Sequence, residues 1–251
     1  MILLEDTIRI LKDLPNHNIE MSGKLEVNEL NTMDIVGLLV NGKEMKTSFP
    51  LGNILFHTHI LKQERINNPP SCTDFMIILY IYYINKCKIN YLIIAPEGIY
   101  TYNLTNKIIK ELDNIKNRKL TYSQFLIKYN QLYYSLKCTN ELYIFTKKFI
   151  INSYKSAIKL STVNDIYKEH CINMIKSAKE GITEDKYYRL LKKLGYDLKL
   201  YKWNDKRMDI KLLKGTQVTD DVLSFYDKKW MDKFRKECSK QQLKKLIIKK
   251  K

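Results

Sequence analysis

The sequence predicts an α+β fold, an α/β sandwich over the first hundred residues that is followed by a mainly α-helical, basic region. All five prolines and five of the eight glycines precede residue 101, and these residues punctuate strands and turns but are rare inside long helices. Residues 1–100 carry nine Lys and Arg against eleven Asp and Glu, whereas residues 101–251 carry 35 against 16. We therefore divide the chain into residues 1–103 and 104–251.

The elements of the first part follow from apolar periodicity and turn residues. In chain order we expect a helix at Thr7–Leu14, a strand at Ile19–Val27, a hairpin at Met33–Phe49 with an Asn41-Gly42 turn, a strand at Asn53–Ile60, a helix at Ser71–Lys86 and two strands in Tyr91–Leu104. The strands are expected to be mostly antiparallel, with the Ser71–Lys86 helix crossing over between two of them.

The second part carries helix signals at close intervals. One helix is expected to begin at Thr183 and to end at Gly195, and another to begin at Thr219. Between them, Tyr196–Trp203 and Met208–Leu213 predict a small hairpin.

Composition narrows the cellular context. The most apolar run, Phe75–Ile84, has ten residues, whereas a membrane-spanning helix needs about twenty, so no membrane association is expected. Acidic residues interrupt the N-terminal apolar stretch too early for a signal peptide. The five cysteines show no paired spacing, which favours reduced thiols and a cytoplasmic location. Heavy use of Ile, Lys, Asn and Tyr indicates an AT-rich genome, such as that of a large DNA virus, a protist or a low-GC bacterium.

A metal site is expected around the strand that contains His57 and His59. Alternate side chains of a strand share a face, so the two imidazoles point in the same direction. Asp74 lies in the first turn of the helix that follows. Two nitrogen ligands and one carboxylate oxygen suit Zn²⁺ and leave a fourth tetrahedral position for water.

Hydrolysis at such a site also needs a carboxylate that moves a proton from the water to the leaving group. Two acids precede the histidines and leave the choice open, because Glu20 and Asp34 both lie in an acid-x-x-Gly-x-Leu context. We favour Glu20, which has the longer side chain. Ser71 could donate a hydrogen bond to a developing oxyanion, or it could simply cap the helix together with Asp74.

These motifs, E-x-x-G-x-L, F-H-T-H and P-S-x-x-D at the head of an apolar helix, resemble the JAMM (MPN-plus) metalloprotease family. The resemblance implies an MPN-like mixed sheet with a crossing helix. It implies that His57, His59 and Asp74 are zinc ligands, that Glu20 is the general acid and base, and that Ser71 is a donor on the oxyanion side. The implied reaction is hydrolysis of peptide or isopeptide bonds, with ubiquitin or ubiquitin-like conjugates as the leading substrate class.

The resemblance covers Ile19–Leu104. The family includes compact members encoded by bacteria, phages and large DNA viruses. The chain departs from the family pattern at Ile60, where the family usually has proline, and in the loop from His59 to Ser71, which is a few residues longer than usual.

Two other functions stay open. One is an MPN-type scaffold in a virion or large assembly, with weak or absent hydrolysis. The other is binding of nucleic acid or an acidic protein through residues 104–251, which end in K-K-L-I-I-K-K-K. The excess of lysine could also be a solvated surface without a partner.

Overall fold

The computed structural model describes residues 2–30, 32–39, 54–86, 88–117, 122–160, 165–205 and 208–211. Within these residues the strands are β1 (Ile2–Leu3), β2 (Ser22–Val27), β3 (Thr32–Leu39), β4 (Ile54–Thr58), β5 (Asn90–Ala95), β6 (Gly98–Leu104) and β7 (Tyr196–Lys202). The α-helices are α1 (Glu5–Asp13), α2 (Cys72–Asn85), α3 (Asn106–Asn117), α4 (Tyr122–Ile144), α5 (Lys147–Lys159), α6 (Asp165–Glu180) and α7 (Glu184–Lys193). The predicted α+β class is confirmed.

The strands form one mixed seven-stranded sheet in the order β1-β3-β2-β4-β5-β6-β7. Strands β4 and β5 are parallel because α2 crosses between them. The pairs β3–β2, β2–β4, β5–β6 and β6–β7 are antiparallel. The expected mostly antiparallel sheet with a crossing helix is therefore present. The predicted Asn41-Gly42 turn lies outside the described residues.

Helix α2 is buried on every side, as an evenly apolar helix must be. Its residues from Phe75 to Tyr83 are all less than a tenth exposed, and the helix packs against α3, α4 and the sheet. On β4 and β5 the side chains of Leu55, Tyr91 and Ile93 belong to this core. The face of the sheet that carries these residues is called the α2 face below.

The opposite face of the sheet is covered by α1 and the turn that follows it. Leu11 and Leu14 pack there with Phe56 of β4 and Leu92 of β5. Because Leu55 and Phe56 lie in different cores, successive residues of β4 alternate between the two faces. The sheet therefore lies between two helical layers.

Strand β7 links the two parts of the chain. It pairs with β6 over seven residues, from Gly98 opposite Lys202 to Leu104 opposite Tyr196, so the first strand of the expected small hairpin belongs to the main sheet. The indole nitrogen of Trp203 donates to the carbonyl of Ala95 on β5 at 3.0 Å. The boundary near residue 103 thus falls inside β6, and elements on both sides of it share one sheet. The division into residues 1–103 and 104–251 stays a prediction about independent folding.

Helix α7 begins and ends where the sequence predicts. The hydroxyl of Thr183 accepts a hydrogen bond from the backbone nitrogen of Lys186 at 3.2 Å, and Gly195 has a φ of +99°, which a side chain would make unfavourable. The helix predicted from Thr219 lies outside the described residues. In the described part of the chain, no helix combines the length and apolarity that crossing a membrane requires.

Candidate metal centre

His57 lies on β4 and His59 directly follows the last residue of that strand, with its backbone nitrogen bonded to the carbonyl of Ile94 on β5 at 2.9 Å. Both point toward the α2 face, since they follow Leu55 at every second position. Their relative exposures are 6% and 4%. The Nε2 atoms of the two rings lie 3.0 Å apart. Two buried imidazoles therefore direct the same ring nitrogen toward one point.

Asp74 completes this group from the first turn of α2. Its Oδ1 lies 3.6 Å from Nε2 of His57 and its Oδ2 lies 3.5 Å from Nε2 of His59. The three side chains offer ligand atoms that all lie within 4.8 Å of one another. The structure thus brings together the three residues that the sequence singles out as metal ligands.

The cap of α2 fixes the position of Asp74. The Oδ2 atom of Asp74 accepts from the backbone nitrogen of Ser71 at 2.6 Å, and the hydroxyl of Ser71 accepts from the backbone nitrogen of Asp74 at 3.3 Å. This is a reciprocal capping box, so Ser71 has the capping role that the sequence also allows. In this bond the hydroxyl acts as acceptor, and Ser71 also forms a side-chain hydrogen bond with the Asp74 carboxylate that lowers the pKa of Asp74.

The hydrogen bonds of the Nδ1 atoms of both rings determine whether the Nε2 atoms can bind a metal. Nδ1 of His59 lies 3.2 Å from the carbonyl oxygen of Asn68, and because a carbonyl only accepts, this nitrogen carries the proton. Nδ1 of His57 lies 2.9 Å from the hydroxyl of Tyr91, to which it can donate. Two neutral rings would then present lone pairs to each other beside a carboxylate. In these tautomers the two nitrogens and the carboxylate form a donor set that fits a bound metal.

The electrostatics of the group agree with a site that holds one positive charge. Burial, together with the charge of His59, lowers the pKa of His57 to about 4. Burial also acts to lower the pKa of His59, but the hydrogen bond and charge of Asp74 and the charge of Glu20 outweigh it and raise this pKa. Burial opposes ionisation of Asp74, yet His57, His59 and Ser71 hold its pKa well below the usual range. Without metal, the raised pKa of His59 and the lowered pKa of Asp74 favour an ion pair between these two side chains.

Glu20 lies beside the same group through the pairing of β2 with β4. Ser22 pairs with His57, and backbone atoms of Met21 and Thr58 continue the ladder at 2.8 Å, so the register places Glu20 opposite His59. The Glu20 side chain is buried, with 7% exposure. Burial, followed by the charge of Asp74, raises its pKa to about 7, against the opposing effect of nearby positive charges.

Asp34 does not lie near the histidines. It is exposed on β3, opposite Glu26, which is four residues and therefore about 13 Å along β2 from Ser22. Its Oδ1 accepts a hydrogen bond from the hydroxyl of Thr7 at 2.6 Å. The three side chains of His57, His59 and Asp74 are called the metal group below. Of the two candidate bases, the structure brings only Glu20 to this group.

Three residues near the site were not anticipated from the sequence. Glu97 accepts hydrogen bonds from the backbone and side-chain nitrogens of Asn68 and, at 2.7 Å, from the hydroxyl of Tyr100. Tyr91 supports His57. Arg65 is half-buried, and its burial lowers its pKa while the charges of Glu20, Asp74 and Glu97 raise it. A fourth supporting residue, Asn68, orients His59 through its backbone carbonyl group. No sequence motif marks Asn68 or Glu97, since Pro96-Glu97-Gly98 is typical of a turn.

No family model matches the chain, and no curated protein or solved structure matches it either. The resemblance to the JAMM family therefore rests on the short sequence motifs. The geometry of His57, His59 and Asp74, which carry these motifs, supports metal binding.

Proposed function

We propose that the chain is a zinc-dependent hydrolase of peptide or isopeptide bonds, with a JAMM-type catalytic domain. The observation that carries the proposal is the convergence of two Nε2 atoms, 3.0 Å apart, on both oxygens of Asp74 at 3.5 and 3.6 Å. His57, His59 and Asp74 would hold the metal, as a two-nitrogen, one-oxygen set of the kind that binds catalytic zinc. Zinc at such a site acidifies a bound water and polarises a carbonyl.

Glu20 has the properties that proton transfer requires. Without metal its pKa is about 7, and a bound cation would lower this value, so the carboxylate would be ionised when the water attacks and could take up the water proton, as general acid and base catalysis requires. Its carboxylate can accept the proton of the attacking water and deliver it to the leaving amine. The register of β2 and β4 holds it on the face of the sheet that carries the histidines.

Ser71 would act on the oxygen of the scissile carbonyl, as the motif resemblance implies. Its hydroxyl accepts from the nitrogen of Asp74, and its proton, which hydrogen-bonds the Asp74 carboxylate, would turn to a developing negative charge during the reaction. One hydroxyl thereby caps α2 and supplies a donor to the reaction. Ubiquitin or ubiquitin-like conjugates are the leading substrate class, on the strength of the motif resemblance.

Metal content tests the first step. Elemental analysis of the wild-type protein should find about one zinc per chain, as expected for three protein ligands at one site, and the His57→Ala, His59→Ala double variant should lose it. His17→Ala is the matched control, because His17 is exposed and interacts with Asp13. Equal zinc contents in the double variant and the wild type would refute the metal site.

Catalysis is tested on a panel of ubiquitin-like conjugates and peptides. Glu20→Gln should abolish hydrolysis while keeping the bound zinc, whereas Asp34→Asn, the same change of acid to amide on β3, should keep both. Loss of activity in the Asp34 variant alone would assign the base to Asp34.

A second candidate function is binding of nucleic acid or an acidic protein by residues 104–251. The lysines of helices α5, α6 and α7 are exposed: Lys147, Lys148, Lys155, Lys159, Lys168, Lys176, Lys179, Lys186, Lys192 and Lys193. If they bind a polyanion, affinity for a duplex DNA or heparin should fall steeply between low and high salt. Binding that does not change with salt would argue against an electrostatic surface.

A further inference from the structure

Residues 60–71, here called the site loop, lie between the proposed ligand His59 and helix α2, and they contact two of the three proposed ligands. The carbonyl oxygen of Asn68 accepts a hydrogen bond from Nδ1 of His59. The last residue of the loop, Ser71, caps the helix that carries Asp74. The site loop therefore contacts both His59 and the first turn of α2, which carries Asp74.

The helical second part of the chain holds the site loop along its length. Backbone atoms of the loop and of the junction between α4 and α5 form an antiparallel bridge between Arg65 and Phe145. Three hydrogen bonds flank it, from Ile66 N to Ile144 O at 2.8 Å, from Thr146 N to Glu64 O at 2.9 Å and from Asn67 Nδ2 to Tyr143 O at 3.0 Å.

Asn140 of α4 makes the contact nearest to the metal ligands. Its side chain is 3% exposed, and its Nδ2 donates to the carbonyl oxygen of Pro70 at 3.0 Å. Its Oδ1 accepts from the hydroxyl of Tyr187 on α7 at 2.9 Å. Because a carbonyl can only accept and the hydroxyl donates, the two partners fix which way the amide points. Pro70 directly precedes the cap residue Ser71.

The partner on α7 is itself rigidly packed. The ring of Tyr187 is fully buried and stacks on Tyr143 of α4, with ring centroids 3.9 Å apart and an interplanar angle of 8°. A chain of buried contacts therefore runs from α7 through Asn140 to Pro70 and so to the first turn of α2.

We propose that Asn140 is a positioning residue of the metal site, through which α4 and α7 hold the start of α2 so that Asp74 stays against the histidines. On this basis residues 104–251 complete the site and are not only an accessory to it. The identity of zinc rests on the proposed function, whereas the positioning of Pro70 and Asp74 does not. Residues that orient metal ligands typically change metal affinity by about 10- to 100-fold when they are removed.

The test compares three variants of the full chain. Asn140→Ala removes the amide, and Tyr187→Phe removes only the hydroxyl that orients it. Met174→Ala is the control, because Met174 is buried in α6, outside α4, α7 and the site loop, and its loss should lower stability by creating a cavity. For each we measure zinc affinity by competition with a chelator, and hydrogen exchange of the Ile66 and Asp74 amides in the metal-free protein.

Asn140→Ala should bind zinc about 10- to 100-fold more weakly and should exchange the two amides faster, and Tyr187→Phe should do both to a smaller extent. Met174→Ala should match the wild type in both. If Asn140→Ala does not fold, Tyr187→Phe carries the test.

Two results would overturn the inference: wild-type exchange in the Asn140 and Tyr187 variants, or an equal loss of affinity and protection in Met174→Ala. A wild-type protein that binds no zinc, with fast loop exchange in Asn140→Ala, would refute the proposed function and leave the positioning role supported.

Discussion

The buried carboxyl of Glu20 should make the stability of the metal-free protein depend on pH in a way that Glu20→Gln removes. Its pKa is raised from an ordinary value of 4.5 to about 7, so between these values the folded state holds a proton that the unfolded state has released. Its contribution to stability is therefore full below pH 4.5 and is lost as the pH rises through 7.

The size of the effect follows from linkage. One bound proton changes the free energy of unfolding by about 1.4 kcal/mol per pH unit, and the interval from 4.5 to about 7 corresponds to a loss of about 3 kcal/mol. Glutamine has nearly the same shape and cannot ionise. At pH 8 the Glu20→Gln protein should therefore be more stable than the wild type by about 3 kcal/mol, and the two should converge at low pH. Because the charge of Glu20 also raises the pKa of His59, the substitution weakens that second source of pH dependence in the same direction.

Urea unfolding in the presence of a chelator, followed by fluorescence from pH 4 to 8, measures this difference. Asp34→Asn is the control, because Asp34 is exposed and away from the metal group, and it should keep the wild-type slope. Saturating zinc should flatten the wild-type curve, since a nearby cation favours the ionised carboxylate. A Glu20→Gln protein with the wild-type slope would refute the argument, because Glu20 would then titrate as an ordinary surface acid.

Three further predictions concern the frame of the site. Gly98→Ala should lower the free energy of unfolding by about 1–3 kcal/mol in denaturant titrations, because a Cβ would lie 2.2 Å from the carbonyl oxygen of Tyr201. Tyr91→Phe should lower the free energy of unfolding by about 1–3 kcal/mol and weaken zinc binding about tenfold or more in chelator competition, because it removes the hydroxyl 2.9 Å from the buried Nδ1 of His57. Phe75→Ala should cost about 3–5 kcal/mol in thermal unfolding, since Phe75 is fully buried.

The strands and the crossing helix could be predicted because their signals are local. Alternation marks β2 and β4, and the pair of Ser71 and Asp74 marks the start of α2, where both side chains do form a capping box. The partner of β7 could not be predicted in the same way. Its alternating residues are compatible with any neighbouring edge, and the pairing with β6 joins segments such as Leu104 and Tyr196 that are far apart in the chain.

The metal group could be predicted for the same reason as the strands. His57 and His59 share a face by strand geometry, and the helix cap limits where Asp74 can lie. The supporting residues escape such reasoning because they act through backbone groups or from distant elements. The carbonyl of Asn68 orients His59, and Asn140 reaches Pro70 from seventy residues away, so neither leaves a motif beside the ligands.

The loss of folding stability that comes with burying these ionisable side chains supports the proposed catalytic function over a scaffold role. Burial lowers the pKa of His57 to about 4 and raises the pKa of Glu20 to about 7, so both side chains are held against their charged forms at the expense of stability. Apolar residues of similar volume in the place of such buried ionisable groups are often neutral or stabilising. Asp74 also caps α2 and would be useful in a scaffold as well. A scaffold recognised through the outside of its helices would gain nothing from Glu20, His57 and His59. A reaction that needs a bound cation and a proton acceptor side by side gives a physical reason to keep all four.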